Sequence, residues 1–174
     1  MSTKATESVP QGYHTVTPWI VAPDASKVIA FMEKVFDAHE TEGSRMLNDD
    51  GSIGHVEVKV GDSAVMLFDS KPGWPETPSF LRLYVEDAEA AYKKALKAGA
   101  TGVTETTPLF FGEKVARVRD PWGNLWWIHQ RVEEVDPAEM EKRMNDPSAM
   151  KAMQYVQESL DRAMRDGAKN ARSK

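Results

Sequence analysis

At 174 residues the chain is about one domain long, and its 41% hydrophobic and 28% charged residues are ordinary for a globular protein with a full core. A net charge of −5, with no run of Lys and Arg interleaved with aromatics, argues against a nucleic-acid binder. The chain has no cysteine, which excludes disulfides, thiolate catalysis and zinc–cysteine sites.

Residues 1–12 read as a disordered lead-in. The first seven are polar and lack an apolar signal core, and no apolar run approaches the roughly 20 residues that span a bilayer. The expectation is a soluble, cytoplasmic protein that contacts no membrane. A strand is predicted over 15–21. Asp24 then caps a helix whose apolar positions Val28, Phe31, Met32, Val35 and Phe36 recur at helical spacing. Three strands follow, at about 40–47, 53–60 and 63–69, with turns at 48–51 and at Gly61-Asp62. The proline-bearing segment 70–78 is a linker.

The same order then recurs. A strand over 79–85 leads into a helix over 87–98 opened by Asp87 and closed by Gly99. Strands near 101–107, 114–120 and 124–130 complete the copy. Asp24 and Asp87 lie 63 positions apart, and the hairpin glycines Gly61 and Gly123 lie 62 apart. A period this long, present only twice, indicates two copies of one β-α-β-β-β unit rather than a solenoid. The division is 13–69 for the first module, 79–131 for the second, 13–135 for the whole domain, and 136–174 for a helical extension. In that extension Met150, Met153, Val156, Leu160 and Met164 form an apolar stripe. It either packs on the protein's own sheet or clasps a second subunit.

Two segments carry a family likeness: Thr17-Pro18-Trp19-Ile20-Val21 leading into Asp24, and Asp120-Pro121-Trp122-Gly123-Asn124-Leu125-Trp126-Trp127-Ile128. With the doubled plan, they resemble the vicinal oxygen chelate superfamily, the glyoxalase/bleomycin resistance protein/dioxygenase type, and within it the PhnB-like branch. The resemblance covers about residues 14–145. It implies an α+β fold in which two βαβββ modules form a cupped mixed β-sheet, and it implies a homodimer.

In the metalloenzymes of that superfamily, one ligand lies seven residues before the Asp that opens each helix and another four past each hairpin Gly. Those offsets fall on Thr17, Val65, Phe80 and Trp127. None is an imidazole or carboxylate, so no metal site is expected. Strand alternation then lines the cup with Thr17, Trp19, Phe80, Arg82, Tyr84, Trp127 and His129, a set suited to a flat or apolar small molecule. A cup packed shut by the same rings, leaving a structural or interaction protein, is the bland alternative.

Phe110-Phe111-Gly112-Glu113-Lys114 occupies the place where relatives carry Trp-Gly-Asp-Arg, which adds Phe111, Glu113 and Lys114 as candidate rim contacts, Glu113 and Lys114 being alternatively a solvated surface pair. Arg117 and Arg119 could supply anion binding, but the favoured expectation is that they cover an exposed sheet edge. His55, Glu57 and His129 are the candidates for acid/base chemistry in the enzyme alternative, a lyase, isomerase or dioxygenase with an atypical site. A two-residue turn at Gly61-Asp62 would pair Val60 with Ser63 and Val58 with Val65, placing the valines in the cup and His55 outside. His14 and His39 are expected at the surface. No Gly-x-Ser-x-Gly, phosphate loop or dinucleotide fingerprint is present, and no cofactor is expected. The leading expectation is metal-independent binding of a small aromatic or apolar molecule between the modules.

Overall fold

The computed structural model describes residues 8–172. The chain divides into two compact units with the boundary between Ser79 and Phe80.

The first unit runs β1 (Trp19–Ala22), α1 (Ala25–Phe36), β2 (His39–Glu40), β3 (Met46–Leu47), β4 (Ile53–Val60) and β5 (Ser63–Asp69). Its strands order β1-β5-β4-β2, with β3 also on β4; β1 is parallel to β5 and the other pairs are antiparallel. Asp24 caps α1 by accepting from the Lys27 amide at 3.1 Å. The helix buries Val28, Ile29, Phe31, Met32, Val35 and Phe36. Ile20, Val56, Val58 and Leu67 are fully buried on one face of the sheet and supply the other half of this core. Asp69, at the end of β5, accepts from the Ala25 amide at 2.7 Å and from the Ile53 amide at 2.6 Å, tying helix start to strand ends.

The second unit repeats the plan: β6 (Phe80–Tyr84), α2 (Ala88–Lys97), β7 (Thr101–Leu109), β8 (Glu113–Arg119) and β9 (Leu125–Arg131), in the order β6-β9-β8-β7. Again the first and last strands are parallel. Gln130 of β9 accepts from the Ala88 amide at 3.2 Å, doing for α2 what Asp69 does for α1. The α+β architecture of two βαβββ repeats, expected from the sequence, is therefore present. Two helices follow, α3 (Pro137–Met144) and α4 (Pro147–Arg172). None of the described helices is long and apolar enough to cross a membrane.

The helices of the second unit take opposite faces of its sheet. Tyr92 of α2 lies against Gly102, which pairs with Val118, so α2 covers the face of Ala116, Val118, Trp126 and Ile128. On the other face, α4 packs on β7, with Val156, Ala152 and Met153 against Leu109, Val115, Phe111 and Trp127. The apolar stripe of the extension thus uses its middle on its own sheet. Met150 and Met164 remain exposed.

Four expectations need correction. The strand placed at 40–47 is two short strands, because the intervening loop is drawn onto Glu57: the Thr41 amide donates to the Glu57 carbonyl at 2.9 Å and the Thr41 hydroxyl to its carboxylate at 2.8 Å. The first strand begins at Trp19 rather than Thr15. The Gly61-Asp62 turn gives the expected pairs Val60–Ser63 and Val58–Val65, yet the valines face α1, and Val65 with them. Trp19 pairs with Met66 and Met66 with Glu57, so those three share the face opposite α1 with His55 and Lys59. Finally, Arg117 and Arg119 do not cover an open edge. Arg117 donates to the Val156 carbonyl at 2.7 Å and Arg119 to the Ala163 carbonyl at 3.0 Å, so both fasten α4.

The Asp120-Pro121-Trp122-Gly123-Asn124 segment is a staple for the β8–β9 hairpin. The buried Asp120 carboxylate accepts from the amides of Trp122 and Asn124, from the Asn124 side chain and from the Trp126 indole, at 2.8–3.0 Å. Each buried donor left without its acceptor costs about 1–3 kcal/mol. Asp120→Ala should therefore lower the unfolding free energy by at least about 3 kcal/mol in chemical denaturation. Asp62→Ala, in the exposed hairpin of the first unit, should stay within about 0.5 kcal/mol.

Candidate functional site

The half of the second sheet's face that α4 leaves uncovered, over β6 and β9, holds a cluster of aromatic and charged side chains. Strand register sets it out in rows. Thr104, Arg117, Trp127 and Arg82 cross β7, β8, β9 and β6 in one row; Thr107, Val115, His129 and Tyr84 form the next. Phe80 stacks near Trp127 with ring centroids 6.1 Å apart and planes 28° apart. Phe80 is 49% and Tyr84 55% exposed, while Arg117 is 2% and His129 1% exposed. The site thus has an open rim and a buried floor.

Its hydrogen bonds centre on Glu113. His129 Nδ1 and Glu113 Oε2 lie 2.6 Å apart, a separation that needs a proton between them, so Nδ1–H donates and Nε2 carries the lone pair. Arg82 Nη2 donates to the Tyr84 hydroxyl at 2.7 Å and lies 3.5 Å from Glu113 Oε2. The Trp127 ring carries two guanidinium groups, Arg82 at 5.4 Å and Arg117 at 4.2 Å from its centroid. Burial lowers the His129 pKa below the ordinary 6.5, against the hydrogen bond to Glu113 that raises it, and the charges of Arg82 and Arg117 lower it further. The imidazole is accordingly neutral near pH 7. Three buried polar atoms on this face have no hydrogen-bond partner among the described residues: His129 Nε2, Trp127 Nε1 and Arg117 Nε.

Phe111, at the turn into β8, packs against the Leu109–Val115–Val156 cluster. That turn requires glycine at 112: its φ is 84°, and a Cβ there would stand 2.5 Å from the Glu133 carbonyl oxygen. Lys114 pairs with Gln130 and so points to the α2 side, away from Glu113 and the ring cluster. Register makes this legible, since adjacent strand residues cannot share a face. Glu113 and Phe111 also line a cavity of about 470 Å³ with Arg131, Glu133 and Met140.

In the first unit, Glu57 is fully engaged. The Tyr13 hydroxyl and the Thr41 hydroxyl donate to its carboxylate, and Lys59 lies 3.3 Å away. The Tyr13 bond is the main reason that its pKa is lowered despite burial. A carboxylate so paired anchors Tyr13 and the 41–45 loop. Trp19 is exposed and meets His55 edge-on at 5.7 Å and Phe68 at 5.5 Å. Thr17 precedes β1 and is half-buried; His14 and His39 are exposed.

The residues do not fit a divalent metal. Among the described residues no three His, Cys, Asp or Glu side chains converge as a ligand set. The site face offers one imidazole and one carboxylate, already bonded to each other. Sequence reasoning missed Glu113 as the partner of His129 and Arg117 as a floor residue. Both lie at odd positions of β8, facing Trp127 and His129 across the β8–β9 pairing.

Residues 13–128 match the Glyoxalase/Bleomycin resistance protein/Dioxygenase superfamily. An uncharacterized protein of Mycobacterium bovis is 34% identical over 141 residues, 75% of this chain and 91% of that protein. Among solved structures, TioX from Micromonospora sp. ML1 superposes with a TM-score of 0.55 at 20% identity, covering 67% of this chain and 97% of its own. A glyoxalase/bleomycin resistance protein/dioxygenase family enzyme from Burkholderia phytofirmans PsJN gives 0.53 at 20% identity, covering 67% and 97%. At such identities these two likenesses concern the fold.

Because the folded state holds the His129 pKa below 6.5, the unfolded chain binds the proton more readily. Stability from this group is therefore complete above pH 6.5 and is lost as pH falls below it toward the folded value. Urea melts at stepped pH should show that loss in the wild type. In His129→Gln the decline just below pH 6.5 should be shallower.

Proposed function

The chain belongs to the glyoxalase/bleomycin resistance protein/dioxygenase superfamily, and on that premise we propose that it binds a small planar aromatic or apolar molecule, without a metal ion, on the uncovered face of β6 and β9. The observation that carries this reading is the half-exposed pair Phe80 and Tyr84 flanking Arg82, with Trp127 behind them. A protein gains nothing in stability by leaving two large rings half in water, whereas a flat ligand gains stacking surface from them. Arg82, His129 and Glu113 supply a few polar groups to orient what stacks there, the usual composition of a small-molecule site. The metal-ligand positions of the family support the metal-free part of the proposal, since Thr17, Phe80 and Trp127 hold three of them and the strand register brings Met66 alongside Trp19.

A second reading, catalysis, is favoured by one feature. The Glu113–His129 pair fixes Nδ1 as the donor and leaves Nε2 as a free base on a neutral imidazole. A ligand with an acidic proton placed against Nε2 would be a substrate for proton abstraction. His129→Gln would then keep binding and lose turnover.

Binding is tested by titrating the intrinsic tryptophan fluorescence with a planar probe such as a naphthalene derivative, in parallel with thermal melts. Saturable quenching is expected. Phe80→Ala should weaken it by roughly 0.5–1.5 kcal/mol, about two- to thirteenfold, with under about 1 kcal/mol change in stability. Trp127→Ala, which also removes packing against α4 and Arg117, should cost about 3–5 kcal/mol of stability. Quenching that never saturates, or that Phe80→Ala leaves unchanged, would remove the site.

A further inference from the structure

Arg117 is a buried cation without an anion. Among the described residues no carboxylate lies within ion-pairing distance of it, and its hydrogen bonds go to neutral oxygens: the Thr104 hydroxyl at 3.1 Å and the Val156 carbonyl at 2.7 Å. Its Nε–H has no hydrogen-bond partner among the described residues. Burial pushes its pKa down to about 10, so it remains charged at neutral pH. An uncompensated buried charge is expensive, and replacing it with an apolar residue of similar volume is often neutral or stabilising. The helix could be fastened by neutral donors, as Ser159 and Thr104 fasten it at 2.7 Å. The charge itself needs another explanation.

Its surroundings supply one. Arg117 and Arg82 both lie over the Trp127 ring, and among the described residues the carboxylate that contacts this cluster, Glu113, is shared among His129, Arg82 and Tyr84. Two guanidinium groups against one carboxylate leave the cluster one positive charge in excess, in a chain whose net charge is −5. Next to Arg117 the Trp127 indole N–H also lacks an acceptor. An excess positive charge beside the stacking rings is complementary to one anion.

We infer that the ligand of this face is an aromatic acid: its ring stacks on Phe80 and Tyr84, and its single carboxylate-type anion supplies the charge that Arg82 and Arg117 lack. The inference rests on the proposed stacking site and adds the chemical class of its occupant. Arg82, 47% exposed at its side chain, makes the direct contact. Arg117 acts from beneath Trp127, through its field in a region shielded from water.

The test pairs two probes of one shape, 2-naphthoate and the neutral 2-naphthamide, in the fluorescence titration. Naphthoate should bind at least tenfold more tightly, and raising salt from about 0.05 to 0.5 M should weaken naphthoate alone. Arg82→Gln and Arg117→Met should each shrink the ratio of naphthoate to naphthamide affinity severalfold. Circular dichroism checks that each variant is folded; if Arg117→Met is not, Arg82→Gln and the salt series decide. Equal affinity for the two probes would overturn the anion assignment and leave the stacking site standing. No saturable binding of either probe would overturn the stacking site, and the assignment with it. A preference that survives both substitutions would show that the anion is held elsewhere.

Discussion

Strands β8 and β9 pair from Glu113–Arg131 to Arg119–Leu125 without an interruption of register, so each side chain along them is committed to one of two faces. The even-numbered positions, Ala116, Val118, Trp126 and Ile128, are apolar and buried and belong to α2. Glu113, Arg117, Trp127 and His129, at odd-numbered positions, share the other face with Val115, and this face meets α4 at one end and solvent at the other. This unbroken alternation puts charged groups and large rings on a common face at hydrogen-bond distances. A single bulge in β9 would scatter Trp127 and His129 to opposite sides.

The Asp120 staple sets where that register begins, since it fixes the turn from which β9 grows back along β8. Arg117 then joins three parts of the second unit: the sheet through Thr104, the terminal helix through the Val156 carbonyl, and the ring of Trp127. Its equivalent in the first repeat is Glu57, which likewise meets a threonine, Thr41, at 2.8 Å. The two repeats have thus kept one geometry and diverged in charge. Glu57 found partners in Tyr13 and Lys59 and became an anchor. Arg117 kept an unpaired nitrogen and faces the half-open site.

Much of this was legible before any coordinates. The doubled plan was written in Asp24 and Asp87, both of which cap helices, and in hairpin glycines at matching distances. The face shared by Phe80, Arg82, Tyr84, Trp127 and His129 followed from alternation, because two parallel strands of uninterrupted register obey it. What failed did so for identifiable reasons. Val65 was aligned by an offset counted from Gly61, but the parallel pairing of β1 puts Met66 beside Trp19, one residue on, and one residue changes the face. Loop 41–45 was read as strand because hydrogen bonding to a buried carboxylate has no local signature. The role of Arg117 depended on a helix 39 residues further along the chain, a contact no periodicity reveals.

The central claim is that the uncovered face of β6 and β9 is where a ligand sits, and nitrogen-15 NMR of the indole region reads it most directly. The chain has five tryptophans, so five indole N–H signals, and Trp127→Phe assigns the one at issue. The Trp127 N–H has no acceptor, whereas that of Trp126, its neighbour on the other face, is bonded to Asp120 at 3.0 Å. On titration with 2-naphthoate the account predicts a saturating shift of the Trp127 signal as an aromatic ring settles beside it, with Trp126 unmoved. Shifts confined to Trp19 and Trp74, or a Trp126 signal that moves while Trp127 stays still, would contradict it.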